Sequence, residues 1–101
     1  MSNWIFVNVR YAIKPGKRNE FLEKLSNQGV IKNSKAEPGN IKYEYSIPID
    51  SDNDLILTEM WTNSEALEAH GKSEHYQRLQ VLKKEYTTDV TIEKFSISAK
   101  L

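Results

Sequence analysis

Glu59, His70 and His75 are the residues of this chain best suited to moving a proton. From Leu55 to Thr62 the chain alternates two faces, with Leu55, Leu57, Glu59 and Trp61 on one and Ile56, Thr58, Met60 and Thr62 on the other. That is a strand pattern. Glu59 then shares a face with three large apolar residues, where an ionised carboxylate is costly without a partner. His70 falls on one helical face with Ala66 and Leu67, which turns its ring toward the sheet. An imidazolium from His70 or His75 beside Glu59 makes an acid–base pair with shifted pKa values, suited to taking a proton from an activated C–H or O–H group. His75 follows His70 by five residues, across Gly71. The two rings lack the i, i+4 spacing of a helical metal pair, so no metal site is expected and only the fold brings them together. A structural alternative stands beside each assignment: Glu59 caps a helix or pairs with Arg10, and His70 satisfies a core or capping position.

Tyr43 and Trp61, with Phe6 and Tyr76, could wall an apolar pocket for a flat substrate, although core packing would use the same residues. Other chemistries lack their residues. The chain has no Cys, hence no thiolate nucleophile, iron–sulfur cluster or cysteine-bound zinc, which agrees with a reducing, cytoplasmic location. It also lacks a Gly-rich phosphate loop, a dinucleotide fingerprint, a His-Glu-x-x-His motif and a Gly-x-Ser-x-Gly elbow, so kinase, dehydrogenase and hydrolase chemistry have no footing. Lys plus Arg and Asp plus Glu number 14 each and are scattered, so no field forms that would hold nucleic acid or an anionic membrane. Neither a signal-peptide pattern nor a run of about 20 apolar residues is present.

The elements that must position these groups follow in order. Trp4 to Lys14 alternates Ile5, Val7, Val9, Tyr11 and Ile13 against Trp4, Phe6, Asn8, Arg10 and Ala12, a strand whose second face is too apolar for water alone. After Pro15-Gly16, a first helix is expected from Lys17 to about Ser34 with Phe21, Leu22 and Leu25 on its buried face; Gly29 inside it either weakens it or permits a close contact. Glu37-Pro38-Gly39-Asn40 makes a turn. Ile41, Tyr43, Tyr45 and Ile47 form the apolar face of a second strand, and a polar loop from Asp50 to Asp54 leads into the third. Asn63 or Ser64 caps a short helix ending near Gly71. Ser73 caps a longer one that packs His75, Tyr76, Leu79, Leu82 and Tyr86 and exposes Lys83, Lys84 and Glu85. Thr87 to Ala99 reads as a final strand.

The order β-α-β-β-α-β, with a split second helix, predicts an α+β, ferredoxin-like single domain over residues 1–101, with helices on one face of a four-stranded antiparallel sheet. Apolar residues on both faces of the strands lead us to expect a homodimer that buries the second face against its own copy.

Glu37-Pro38-Gly39-Asn40-Ile41-Lys42-Tyr43, Glu59-Met60-Trp61, Glu65-Ala66-Leu67-Glu68-Ala69-His70 and Ser73-Glu74-His75-Tyr76, with Lys14-Pro15-Gly16-Lys17 and Glu20-Phe21 before them, resemble the antibiotic biosynthesis monooxygenase family. The resemblance covers nearly the whole chain in order and is closest to the quinol monooxygenase and autoinducer-degrading branch. It implies a dimeric α+β barrel with a small-molecule pocket between each sheet and its helices. It also implies a cofactor-independent monooxygenase that oxidises a quinol or another electron-rich small molecule with molecular oxygen as co-substrate. Glu59, His70 and His75 would be catalytic, and Asn8, Tyr43, Trp61 and Tyr76 would bind substrate, Asn8 through a substrate oxygen or superoxide. Asn8 could equally satisfy a loop or dimer contact. The family also contains isomerases of phosphorylated signals, for which Arg10, Lys42 and Arg78 are candidate clamps, and haem-degrading enzymes, for which His70 or His75 would be the axial ligand. A binding module without turnover is the remaining reading.

Overall fold

The computed structural model describes residues 3–98. Its elements run β1 (Trp4–Ile13), α1 (Arg18–Asn27), α2 (Val30–Lys35), β2 (Asn40–Ser46), β3 (Asp54–Trp61), α3 (Ser64–Gly71), α4 (Glu74–Tyr86) and β4 (Thr87–Ile97). The four strands form one antiparallel sheet in the order β2-β3-β1-β4, the ferredoxin-like α+β arrangement that the element order predicts. No helix among the described residues is long and apolar enough to cross a membrane.

Strand alternation sets the layers. Val7, Val9, Tyr11 and Ile13 of β1 and Leu55, Leu57 and Trp61 of β3 point to one face and are buried. Phe21 and Leu25 of α1, Val30 of α2 and Leu79, Leu82 and Tyr86 of α4 close over them. The aromatic rings of Tyr11, Phe21 and Tyr86 tie strand to helices, with centroids 5.7 Å apart for Tyr11–Phe21 and 5.6 Å for Phe21–Tyr86. The other sheet face carries Trp4, Phe6, Ile56, Met60, Phe95 and Ile97, and no helix covers it.

Three local expectations change, and one extends past the described residues. The first helix is two helices, because Gly29 adopts a left-handed φ of 72° and starts a new helical direction. The expected inward face of β2 keeps Tyr43 and Tyr45 but loses Ile41, which is 40% exposed where the register slips between Asn40 and Lys42; Ile47 lies beyond the strand end and is also exposed. Lys83 is half-buried instead of solvated, while Lys84 and Glu85 are exposed as expected. The last strand is seen to Ile97, and Ala99 lies outside the described residues.

Gly39 ties the turn before β2 to the start of α3. Its φ is 85°, its carbonyl accepts the Thr62 backbone N–H at 2.9 Å, and a Cβ there would sit 2.6 Å from Ala66 Cβ and 2.8 Å from Thr62 Oγ1. Gly71 has neither constraint, with nothing within 4 Å of a Cβ. Gly39→Ala is therefore expected to lower the unfolding free energy by about 2–4 kcal/mol, from left-handed strain plus overpacking. Gly71→Ala should stay within about 1 kcal/mol of wild type, on the stabilising side, because alanine is the better helix former. Urea unfolding of both variants checks the contrast, and equal losses would refute it.

Candidate active site

Glu59 sits in the middle of β3, opposite Val7 of β1 and Tyr43 of β2, so alternation aims it inward where helices close over the sheet. Only 6% of the residue is exposed. Trp61, two residues along the same face, donates its indole N–H to Glu59 Oε1 at 3.1 Å. The chain then turns at Asn63, whose side-chain oxygen accepts the Ala66 N–H at 2.8 Å and starts α3. One turn and a half later that helix delivers His70, 2% exposed, with its ring 4.8 Å from the Trp61 ring.

His70 lies between two carboxylates. Its Nδ1 is 2.5 Å from Glu37 Oε2 and its Nε2 is 3.8 Å from Glu59 Oε1. With Glu37 as the acceptor, His70 donates from Nδ1 and turns Nε2 toward Glu59. His75, at the start of α4, approaches the same Glu37 oxygen through Nε2 at 3.1 Å. The Ser73 side chain accepts the Tyr76 N–H and donates to the His70 carbonyl, so it fixes the joint between the two helices. Burial raises the Glu59 pKa above its ordinary value; His70 and the Trp61 N–H oppose that, and the Glu37 charge adds to it.

A cleft of about 680 Å³ opens beside this group, between the inner face of β1 and β4 and the helices α3 and α4. Val7, Val9 and Tyr11 form its floor, Leu67, Tyr76 and Leu79 its helical wall, and Glu59 and His70 reach it from one end. Mostly apolar walls with a few convergent polar groups are the usual composition of a small-molecule site.

The residues expected from the sequence divide accordingly. Glu59, His70 and Tyr76 line the cleft. His75 stands behind His70 and touches the relay through Glu37. Tyr43 and Trp61 are almost fully buried and pack on the His70 ring instead of lining the cleft, Tyr43 edge-on at 5.8 Å. Asn8 is a correction: it is paired with Thr58 and Glu93 on the outer sheet face, because Val7 and Val9 take the inward positions, and Phe6 lies there too. Arg10 does not partner Glu59 either; it lies on that outer face and pairs with Asp54 at 2.7 Å. The candidate phosphate clamps are likewise engaged elsewhere, Lys42 with Glu44 and Arg78 with Glu74 and the Gln28 carbonyl.

Sequence reasoning missed Glu37 as a functional residue. It precedes Pro38-Gly39 in a turn, where no periodicity assigns a direction, and only the close approach of Gly39 to Thr62 and Ala66 brings its carboxylate to His70. Glu37, His70 and His75 gather their ligand-type atoms within 4.8 Å of one another. Both imidazoles, however, converge on one oxygen of Glu37, which is the geometry of a hydrogen-bonded relay. His70 Nε2 stands 3.8 Å from Glu59 Oε1, beyond hydrogen-bond length, on the cleft side of the ring.

These features place the chain among ferredoxin-like α+β domains, with a cleft between sheet and helices that a carboxylate and an imidazole border. Residues 4–82 match the family model described as Antibiotic biosynthesis monooxygenase, and the chain belongs to that family. It is similar to the Bacillus subtilis protein named "Putative monooxygenase YcnE", with 32% identity over 65 residues, 64% of this chain and 66% of that one. The chain thus spans just under two thirds of that relative's length. Among solved structures, PA3566 from Pseudomonas aeruginosa matches with a TM-score of 0.85 at 22% identity over 98% of each chain. A protein from Nitrosomonas europaea titled "Putative antibiotic biosynthesis monooxygenase" matches with a TM-score of 0.83 at 17% identity, covering 98% of this chain and 92% of its own.

The raised Glu59 pKa makes a thermodynamic prediction. A carboxyl whose folded pKa lies above its unfolded value stabilises the fold fully below the unfolded pKa, and that contribution is lost as pH rises through the folded pKa. Glu59→Gln carries no such proton. Its stability relative to wild type should therefore climb as pH rises from the ordinary carboxyl value of 4.5 through the raised value, and then level off. Urea unfolding of both proteins from pH 4 upward reads the difference, and a flat or falling difference would contradict the assignment.

Proposed function

We propose that the protein is a cofactor-independent monooxygenase acting on a quinol, naphthol or similar electron-rich phenol bound in the cleft. The observation that carries this reading is His70, held by Glu37 on one nitrogen and turned toward the raised-pKa Glu59 on the other, at the end of an apolar pocket. Such a pair takes the substrate O–H proton and shuttles it between imidazole and carboxylate. The phenolate or carbanion left behind is electron-rich enough to pass one electron to molecular oxygen, which becomes superoxide. The substrate radical and superoxide combine to form a C–O bond, and protonation gives a hydroperoxide. Loss of the ring C–H proton with cleavage of the O–O bond expels water and leaves a quinone, so one phenol and one oxygen molecule give one quinone and one water. No metal or organic cofactor enters this balance.

The uncovered outer face supports a homodimer as the working form. Phe6 and Phe95 meet there at 6.2 Å, Phe95 is 50% exposed, and Trp4, Ile56 and Met60 extend the same apolar surface. A dimer packed on this face leaves the helical side of each sheet free, with Phe95 at the margin where the interface meets the cleft. Phe6→Asp combined with Phe95→Asp should yield a folded monomer by sedimentation or light scattering; a double variant with unchanged mass would place the interface elsewhere.

The function is tested by oxygen uptake with a panel of quinols and naphthols. We expect consumption above autoxidation, reduced about a hundredfold or more by Glu59→Gln and by His70→Ala. Tight substrate binding without uptake, unaffected by either substitution, would leave a binding module in place of an enzyme.

A further inference from the structure

Lys83 is the one lysine of α4 that turns into the cleft, on the helical face it shares with Tyr76 and Leu79. Its Nζ stands 6.0 Å above the centre of the Tyr11 ring, near the outer limit of a cation–π contact with the cleft floor. The side chain is half-buried, and its Nζ has neither a hydrogen-bond partner nor a carboxylate within 4.0 Å among the described residues. The other charged groups on the cleft differ in kind. Lys72 is paired with Glu68 at the exposed rim, Lys94 stands in solvent on β4 opposite Val7, where its charge acts on Glu59, and Glu59 faces His70. Burial accordingly lowers the Lys83 pKa, with the distant Glu59 charge as the opposing influence.

A half-buried ammonium without a counter-ion is a poor structural element: it loses hydration and gains only a weak contact with an aromatic face. An anionic group on a ligand would complete it. We propose that Lys83 is the anion-binding residue of the cleft and pairs with an oxyanion on an aromatic substrate, opposite the end where His70 and Glu59 act. The assignment rests on the reading of this cleft as the substrate site and narrows the substrate class to aromatic acids or phenols that ionise on binding. Lys83 would orient the ring by its oxyanion and, for a phenol, stabilise the phenolate from which electron transfer to oxygen starts.

Binding is measured without turnover, under nitrogen, so the result does not depend on oxygenase activity. Calorimetry compares 2-naphthoate with its neutral amide, 2-naphthamide. Visible absorbance reports the apparent pKa of bound 4-nitro-1-naphthol. The wild type is expected to prefer the carboxylate over the amide at least tenfold, or to lower the bound naphthol pKa by a unit or more relative to Lys83→Met. The first outcome identifies a substrate carboxylate and the second an ionised phenol. Lys83→Arg should retain most of the effect, and an unchanged urea midpoint in Lys83→Met excludes a folding defect as its origin. A wild type that favours neither anion, or a Lys83→Met variant with undiminished preference, overturns the proposal. Anion selectivity that depends on Lys83 together with no oxygen uptake by the wild type would retain Lys83 and remove the oxygenase reading instead.

Discussion

A carboxylate on the inward face of a central strand must be satisfied inside the protein, and the way Glu59 is satisfied organises everything around it. One oxygen takes the indole proton of Trp61, which fixes the end of β3. The same carboxylate faces His70, which therefore has to arrive from the helix that follows. His70 in turn needs an acceptor on its other nitrogen, and Glu37 supplies it from the turn before β2. Three segments distant in sequence are thus tied by one chain of charge and hydrogen bonding, whose cost in an apolar setting is partly offset by the bonds that Trp61, His70 and His75 make to the two carboxylates. The cleft lies where this chain meets the sheet.

Much of this was readable in the residues. Period-two alternation placed Glu59 with Leu55, Leu57 and Trp61, and helical spacing turned His70 inward, because both groups sit in regular elements where geometry follows from sequence offset. Glu37 escaped because a turn residue has no periodic direction. Asn8 shows the opposite failure. It lies on a strand whose alternation puts it on the outer face, and the resemblance that made it a substrate ligand overrode that reading. Ile41 departs from expectation for a third reason, since a register slip is a local break in a pattern that otherwise holds, and Gly29, which the sequence marks as a weak point of the first helix, is where that helix divides. Lys83 sits on an amphipathic helix at a position where a long aliphatic stem can reach under the apolar face while its ammonium remains hydrated in part.

The shared fold is conspicuously broader than any one chemistry. Structures with TM-scores of 0.85 and 0.83 align with nearly all of this chain at 22% and 17% identity, so backbone architecture persists while most side chains differ. In this chain the cleft is furnished with a tyrosine on its floor, a lysine above it, and a carboxylate–imidazole pair at one end. A ferredoxin-like sheet lends itself to such variation because β4 and α3 border the cavity while contributing little to the buried centre, which β1, β3, α1 and α4 fill.

The contact of Gly39 with Thr62 and Ala66 has a bearing on how such a protein can change over generations. The glycine that lets two backbone segments meet also carries, two residues upstream, the oxygen that holds both imidazoles. A substitution at this turn would shift that oxygen as it loosened the fold, so stability and the placing of the imidazoles are coupled at this position. Lys83 lies outside this turn, so a change there leaves the contacts of Glu37 and Gly39 in place.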